Sequence, residues 1–150
     1  MAVSAWLFEW LAPVLCKVRR QGILVGILIA VGCGSYSWES SANQPEVLFV
    51  ELERQGSHWT VHVTVRHNDR GWEHYADAWR ILGPAGEVLG TRTLYHPHEN
   101  EQPFRRSLSG VKIPDSYGSI EVQAHDKVHG WGEKLRIDLT AAEGEKFRIR

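Results

Sequence analysis

Histidine is the residue type in this chain whose pattern points most directly to chemistry. All eight histidines lie beyond residue 57, whereas both cysteines, Cys16 and Cys33, lie in the first 33 residues. Imidazole is the commonest protein ligand for transition metals near neutral pH. A domain without thiols must build a strong metal site from histidine and carboxylate groups. The pattern therefore predicts a binding site for a transition metal, with copper or zinc as the expected ion.

Six of the eight histidines fall in three separate segments, and these six are the predicted metal ligands. They are His67, His74, His96, His98, His125 and His129. Carboxylates in the same segments would orient the ring nitrogens that do not bind metal. The candidates for this role are Asp69, Glu99, Glu101 and Asp126. The remaining two histidines, His58 and His62, are predicted to be surface residues of a strand.

The same residues also allow a purely structural interpretation. Histidine–carboxylate and arginine–carboxylate pairs could fix long loops, because a charge near a protein core needs a partner. In that case His67 and His74 would pair with Asp69 and Glu73 around a turn. The two interpretations use the same side chains, and the sequence leaves both open.

Two tryptophans beside the histidine segments suggest a second class of function. Trp72 and Trp131 each adjoin a glycine in a predicted loop, and exposed aromatic side chains often anchor partners. An envelope interaction or assembly domain that docks a protein or a glycan is therefore the alternative function.

A metal-dependent hydrolase ranks third among the candidate functions. Three histidine ligands and a water could lower the pKa of that water, with Glu99 or Glu101 as base. However, the chain has no Gly-x-Ser-x-Gly nucleophile motif and no His-Glu-x-x-His zinc motif. A binding module is favoured over an enzyme.

Short strands with period-two patterns must position these residues. Val61, Val63 and Val65 alternate with polar residues, which predicts a half-buried strand. Turn signals recur about every ten residues and separate seven predicted strands. These lie near 46–54, 59–66, 73–82, 87–95, 104–111, 118–126 and 133–139. No segment after residue 45 has the pattern of a helix.

Antiparallel order places the three histidine segments at one end of such a domain. If the second strand runs upward, the connections after strands two, four and six all lie at the top, as binding loops do in variable domains. These three connections and their margins contain the six candidate ligands. The topology therefore predicts a single histidine-rich end.

The sixth strand also carries a family resemblance. Residues 120–126, Ile-Glu-Val-Gln-Ala-His-Asp, followed by Gly130, resemble the corresponding strand of bacterial immunoglobulin-like domains. The resemblance implies an all-β fold, namely a single seven-stranded antiparallel sandwich of the immunoglobulin or fibronectin type III kind. The whole chain also resembles small exported proteobacterial proteins and lipoproteins of unassigned function.

The N-terminal region predicts export. Lys17, Arg19 and Arg20 precede an uncharged apolar run at 22–31, the pattern of a secretory signal or a membrane-anchoring leader helix. Residues 30–33, Ala-Val-Gly-Cys, resemble the lipobox of bacterial lipoproteins, which implies lipidation of Cys33. Cleavage after Ala42 and an uncleaved anchor are the alternatives, and all three place the domain in the periplasm or cell envelope.

Charge and length complete the domain assignment. Without the leader, 14 basic and 17 acidic residues remain, and this balance argues against nucleic acid as a partner. The predicted organisation is a leader or anchor at 1–33, a polar tether at 34–45, the β-sandwich at 46–140 and a charged tail at 141–150.

Overall fold

Nine β-strands make up the regular structure of residues 43–150, the part of the chain that the computed structural model describes. They are β1 (Glu46–Gln55), β2 (His58–Arg66), β3 (Ala76–Leu82), β4 (Val88–Thr93), β5 (Phe104–Val111), β6 (Ser119–Asp126), β7 (Gly130–Asp138), β8 (Glu143–Gly144) and β9 (Phe147–Ile149). The all-β prediction is confirmed for these residues. The predicted leader, with Cys33, and most of the predicted tether lie outside them.

The strands form two sheets. One has the order β5-β2-β1-β9-β8 and the other the order β4-β3-β6-β7. Neighbouring strands are antiparallel except β1 and β9, which run parallel. Each sheet contributes side chains to one shared hydrophobic core.

The predicted period-two patterns define the core. Val61, Val63 and Val65 of β2 are fully buried, as are Val122 and Ala124 of β6. Such alternation occurs because successive side chains of a strand point to opposite faces of the sheet. The strand assignments near 59–66 and 118–126 are therefore confirmed. Trp79 of β3 is fully buried as well.

The C-terminal segment differs from its predicted role as a charged tail. Residues 141–150 contain β8 and β9, so the described domain has nine strands rather than seven. β9 pairs with the edge of β1, where Phe147 lies opposite Val50 and Ile149 opposite Leu52. Three residues are too few to reveal alternation by themselves, and an otherwise open strand edge favours such pairing.

The third strand begins later than predicted, at Ala76 instead of residue 73. The preceding residues form a turn in which the N–H of Arg70 donates to the carbonyl of His74 at 2.7 Å. Gly71 adopts a φ of 71° in this turn, a conformation that glycine accepts without steric cost.

The three histidine-bearing loops meet at one end of the domain. Gly71 of the β2–β3 loop donates its N–H to Glu99 of the β4–β5 loop at 2.6 Å. Lys127 of the β6–β7 loop donates its side-chain amine to the carbonyl of Trp72 at 2.7 Å. The predicted convergence of these loops is confirmed.

The segment before β1 packs against β7. A Cβ atom added to Gly132 would lie 2.2 Å from the carbonyl oxygen of Pro45, so only glycine permits this approach. The packing brings Asn43 to the histidine-rich end, where its carbonyl oxygen is 3.1 Å from Nε2 of His67. Within residues 43–150, no helix has the length and apolar character needed to cross a membrane.

Candidate metal centre

Four side chains at the histidine-rich end bring potential metal-binding atoms together. They are His67, His74, Asp126 and His129, and one ligand atom from each lies within 4.8 Å of all the others. His67 directly follows β2, His74 precedes β3, Asp126 ends β6, and His129 lies in the turn to β7. We call these four residues the inner cluster.

The β2–β3 loop sets the spacing of its two histidines. The Arg70–His74 bridge reverses the chain, so that the ring centroids of His67 and His74 lie 4.9 Å apart. The ring of His129 approaches His74 from the opposite loop, with centroids 5.0 Å apart. The loop between the two sheets and the loop from β6 to β7 therefore both contribute to the inner cluster.

Asp126 is the fully buried centre of the inner cluster. Its Oδ1 accepts the backbone N–H groups of Val128 and His129, each at 2.7 Å, which fixes the start of the β6–β7 turn. The carboxylate lies 3.3 Å from Nδ1 of His129 and 3.8 Å from Nε2 of both His67 and His74. A buried carboxylate requires compensation, and a bound cation would supply it.

The tautomer of His67 follows from its partners. Nδ1 lies 2.6 Å from Oδ1 of Asp69, and both side chains are fully buried. Because the carboxylate accepts this hydrogen bond, Nδ1 carries the proton. Nε2 then faces two acceptor oxygens, from Asn43 at 3.1 Å and Asp126 at 3.8 Å. Both ring nitrogens of His67 therefore face acceptor oxygens, and a metal ion at Nε2 would have to replace the contact with the Asn43 carbonyl.

Asp69 holds His67 in the way that outer carboxylates hold metal-binding histidines. Its Oδ1 also accepts the N–H of Ala76 at 3.0 Å, and its Oδ2 accepts the N–H of His98 at 2.6 Å. Asp69 therefore joins the β2–β3 and β4–β5 loops while it orients the ring of His67.

His74 presents a nitrogen without a hydrogen-bond partner. Its Nε2 is buried and unpaired, although an unsatisfied buried polar atom is costly. Burial, followed by the neighbouring charge of His67, holds the pKa of His74 below its ordinary value. The neutral ring that results has a lone pair available for a metal ion.

Three of the interatomic distances lie near those required by a small divalent ion. Zinc bonds of about 2.0–2.2 Å in a tetrahedron place ligand atoms roughly 3.3–3.6 Å apart. The nitrogens of the three histidines lie 3.3–3.8 Å from the Asp126 carboxylate, whereas the four ligand atoms as a set lie within 4.8 Å of one another, so they would have to draw together around a bound ion. His67 and Asp126 have fully buried side chains, whereas those of His74 and His129 are 20% and 32% exposed. Solvent therefore reaches the inner cluster from one side.

His96 and His98, both predicted ligands, lie outside the inner cluster. The ring of His98 stacks on Phe104 with centroids 4.0 Å apart and an interplanar angle of 11°. His96 packs against His98, with ring centroids 4.5 Å apart. His96 and His98 thus form a separate pair, which is joined to His67 of the inner cluster through Asp69.

His125 also lies apart from the inner cluster. Its Nδ1 is 2.6 Å from Oδ1 of Asp77, and its ring meets that of Trp131 edge-on at 4.7 Å. Strand alternation explains this position, because Ala124 and Asp126 on either side of His125 are buried.

The two glutamates predicted to orient ligands have other partners. Glu99 accepts the N–H of Gly71. Glu101 pairs with Arg106 at 2.5 Å and lies 3.6 Å from Nε2 of His98. Neither residue belongs to the inner cluster. Asp126, predicted only to orient a ligand, instead lies among the potential ligands.

The two tryptophans occupy different environments. Trp72 is 61% exposed and meets Tyr75 edge-on at 6.1 Å. Trp131 is half-buried, with the guanidinium of Arg80 located 3.7 Å from its ring centroid. Of the two, only Trp72 presents a largely free aromatic face.

Sequence reasoning missed two contributors to this end of the domain. The carbonyl of Asn43 approaches His67, and no local pattern marks a backbone oxygen for such a role. Gln102 accepts the N–H of His67 at 3.0 Å and donates to the carbonyl of His98 at 3.2 Å. The sequence feature that could have marked Gln102 as a contributor is its position in the polar segment 96–103, between His98 and Pro103.

Comparison with known sequences gives a partial match. No protein-family model matches the chain. A protein of Halomicrobium mukohataei, named "Putative lipoprotein", is 37% identical over 75 residues, which are 50% of this chain and 36% of that protein. The match thus spans about a third of that relative's length.

Comparison with solved structures gives matches of low sequence identity and low TM-score. A superoxide reductase from Giardia intestinalis is 19% identical, covering 63% of this chain and 99% of that one, with a TM-score of 0.40. A superoxide reductase from Nanoarchaeum equitans is 16% identical over 67% and 94% of the two chains, with a TM-score of 0.43. A hypothetical protein from Pyrococcus horikoshii is 19% identical over 65% and 88%, also with a TM-score of 0.43.

Proposed function

We propose that this protein is a metal-binding module that holds a transition-metal ion at His67, His74, His129 and Asp126. The observation that carries the proposal is the buried, unpaired Nε2 of His74, which lies 3.8 Å from the buried carboxylate of Asp126. A metal ion would satisfy the nitrogen and compensate the carboxylate at once. Binding and holding the ion is the proposed activity.

Zinc and copper are the proposed ions. Three imidazole nitrogens and one carboxylate oxygen form a donor set that zinc accepts in tetrahedral geometry, and imidazole also suits copper. The His67–Asp69 pair supports this choice, because a carboxylate-bound Nδ1–H leaves Nε2 as the ligand atom. The exposed side of His129 would allow the ion to enter and leave.

We also propose that the module works outside the cytoplasm, tethered to a membrane at its N-terminus. The charged and apolar pattern of residues 17–31 supports export. The lipobox resemblance at Cys33 and the partial match to a protein named as a lipoprotein support lipid anchoring. Labelling of the wild type, but not of Cys33→Ser, by a radioactive fatty acid would test this proposal.

The immunoglobulin or fibronectin type III relationship is a further proposal about the fold. In the immunoglobulin constant type, strands A, B and E share one sheet and strands C, F and G the other. The neighbours β1, β2 and β5 match the first set, and β3, β6 and β7 match the second. β4 then lies beside β3, where variable domains have an added strand.

Metal content and affinity of the 150-residue chain test the proposed function. After purification in mild detergent, mass spectrometry and titration with Zn²⁺ and Cu²⁺ are expected to show one tightly bound ion at the inner cluster. The double variant His74→Ala/His129→Ala should lose this ion. His125→Ala is the matched control, because His125 has a carboxylate partner but lies outside the inner cluster. Equal tight binding by the double variant and the control would contradict the proposal.

A docking function through Trp72 is the second candidate. Trp72 is 61% exposed, and Tyr95 and Val128 on the neighbouring loops are 76% and 58% exposed. Exposed apolar side chains on converging loops are common at binding surfaces. This function predicts capture of an envelope protein or glycan that a chelator leaves intact and that Trp72→Ala abolishes. Capture lost with the chelator would instead favour the metal module.

A further inference from the structure

His98 is a buried side chain whose two ring nitrogens are both unpaired. Its side chain is 1% exposed, yet both ring nitrogens lack a hydrogen-bond partner. Asp69 lies 3.9 Å from Nδ1, and Glu101 lies 3.6 Å from Nε2, which are both too long for hydrogen bonds. Buried polar atoms in folded proteins are nearly always satisfied by protein groups or ordered water, so each nitrogen requires a partner from outside the protein, either a water or a bound ion.

The position of the His98 ring is held from three sides. It stacks on Phe104, its backbone N–H donates to Asp69 at 2.6 Å, and its carbonyl accepts from Gln102 at 3.2 Å. The stack on Phe104 fixes the plane of the ring, and the two hydrogen bonds fix the backbone from which the side chain extends. The partner must therefore come to the ring.

One further donor group lies beside Nε2 of His98, and a second is carried by the neighbouring ring of His96. Glu101 places Oε1 3.6 Å away, close to the separation of two ligands on one zinc ion. The ring of His96 lies 4.5 Å from that of His98, centroid to centroid. Nδ1 of His96 lies 3.2 Å from the carbonyl of Pro97, and because a carbonyl only accepts, Nδ1 carries the proton and Nε2 keeps its lone pair.

Space is available for an ion and its remaining waters. An open cavity of about 460 Å³ is lined by Trp72 and by residues 96–101, which include all three donors. The guanidinium of Arg106 pairs with Glu101 at 2.5 Å, and its positive charge opposes a second cation nearby. The chemistry therefore favours an ion held more weakly than at the inner cluster.

We propose that His96, His98 and Glu101 form a second metal site, which we call the outer site and which takes a divalent transition ion such as zinc. The inference depends on the proposed function only for the class of metal. The outer site opens to solvent, and Asp69 links it to the inner cluster, since one carboxylate oxygen binds the backbone of His98 and the other binds His67. An ion bound at the outer site would thus be separated from His67, a ligand of the inner cluster, by the single carboxylate of Asp69.

Stoichiometry of Zn²⁺ on the 150-residue chain tests this proposal, read by native mass spectrometry and isothermal titration calorimetry. The wild type is expected to bind two ions in two steps. His96→Ala removes an exposed side chain and should leave the fold intact, which its circular dichroism spectrum would verify. It should also eliminate the weaker step and leave one ion. Glu101→Gln should weaken that step about tenfold or more, by comparison with the effect of losing an orienting partner.

The inner variant His74→Ala/His129→Ala separates the two proposals. If both sites exist, the inner variant keeps the weaker ion, and adding His96→Ala removes it. An unchanged weaker step in both His96→Ala and Glu101→Gln would overturn the outer site and leave the inner one standing. Loss of every ion in the inner variant alone would likewise overturn the outer site. One ion that disappears with His96→Ala, but persists in the inner variant, would support the outer site and contradict the inner one.

Discussion

Two histidine–aspartate pairs in this protein have the same separation and different surroundings. His67 and Asp69 lie 2.6 Å apart with fully buried side chains, whereas His125 and Asp77 lie 2.6 Å apart with side chains 28% and 30% exposed. Solvent screens the exposed pair and contributes its own hydrogen bonds. A buried pair has only protein groups around it, so its second nitrogen must find a partner within the fold.

The difference between the pairs shows that distance does not determine a role. A solvated ion pair contributes little to stability, while disrupting a buried one leaves uncompensated groups. The buried pair in addition directs Nε2 of His67 toward Asp126 and Asn43. Burial and the environment of the second nitrogen therefore separate the candidate site from a surface contact.

Removing the carboxylate of each pair should give the largest contrast. Asp69→Ala is expected to lower the free energy of unfolding by about 3–5 kcal/mol, because His67, Ala76 and His98 all lose a buried acceptor. Asp77→Ala should change it by only about 0–1 kcal/mol. Urea unfolding in the presence of a chelator measures both values, and similar losses in the two variants would refute the contrast.

The stabilising effect of a bound metal ion should also distinguish the inner cluster from the His125–Asp77 pair. An ion that binds only the folded protein adds about 2.7 kcal/mol at a free concentration one hundred times its Kd. Thermal unfolding with and without Zn²⁺ should show this gain in the wild type and in His125→Ala. The inner variant His74→Ala/His129→Ala should show a clearly smaller gain, and a full gain there would place the stabilising ion elsewhere.

The orienting role of Asp69 gives a more selective comparison. Asp69→Asn keeps an acceptor oxygen but loses the charge that holds the Nδ1–H tautomer of His67, so metal affinity should fall about 10- to 100-fold. Asp77→Asn should leave affinity unchanged. Competition with a chromophoric chelator measures both constants, and equal affinities would mean that Asp69 serves stability alone.

Acid should destabilise the metal-free protein through its buried histidines. Burial, then the charges of Arg106 and His96, hold the pKa of His98 below its ordinary value of 6.5, and the pKa of His74 is lowered too. The unfolded chain then takes up more protons than the folded one, so stability is full above about pH 6.5 and falls as the pH drops toward the folded pKa.

The size of this effect is modest. Each such histidine adds at most about 1.4 kcal/mol per pH unit to the slope. Urea unfolding at several pH values should show a shallower slope for His98→Phe than for the wild type. A slope unaffected by His98→Phe would show that protonation of His98 is not responsible.

Much of the fold was predictable, because the information lies in short stretches of chain. The alternation of Val61, Val63 and Val65 identifies β2 without reference to any other strand. Asn68 to Gly71 has the composition of a turn, and the chain turns there. By contrast, β9 depends on the free edge of β1, which no pattern within residues 147–149 could reveal.

The sequence was sufficient to predict the end of the domain at which the candidate site lies, but not which residues are its potential ligands. Antiparallel order alone brings the loops after β2, β4 and β6 to one end, and they are joined there. Which residues become potential ligands depends on the register at the ends of the strands. His125 and Asp126 are adjacent, yet His125 packs on Trp131 and Asp126 is fully buried in the inner cluster. The assignment of three of the six histidines to an inner cluster and two to an outer site remains a proposal that the variants above test, while His125 belongs to neither.

Local alternation and strand order are enough to predict an all-β domain and the end at which six of its histidines lie. Packing between distant segments places Asp126 among the inner histidines and directs one nitrogen of His67 at Asp69 and the other at Asn43. The same packing buries His98 without a protein partner for its ring nitrogens. These features arise where two sheets and three loops pack together. They depend on twist, turn geometry and burial across segments far apart in the chain, which periodicity within any one segment does not encode.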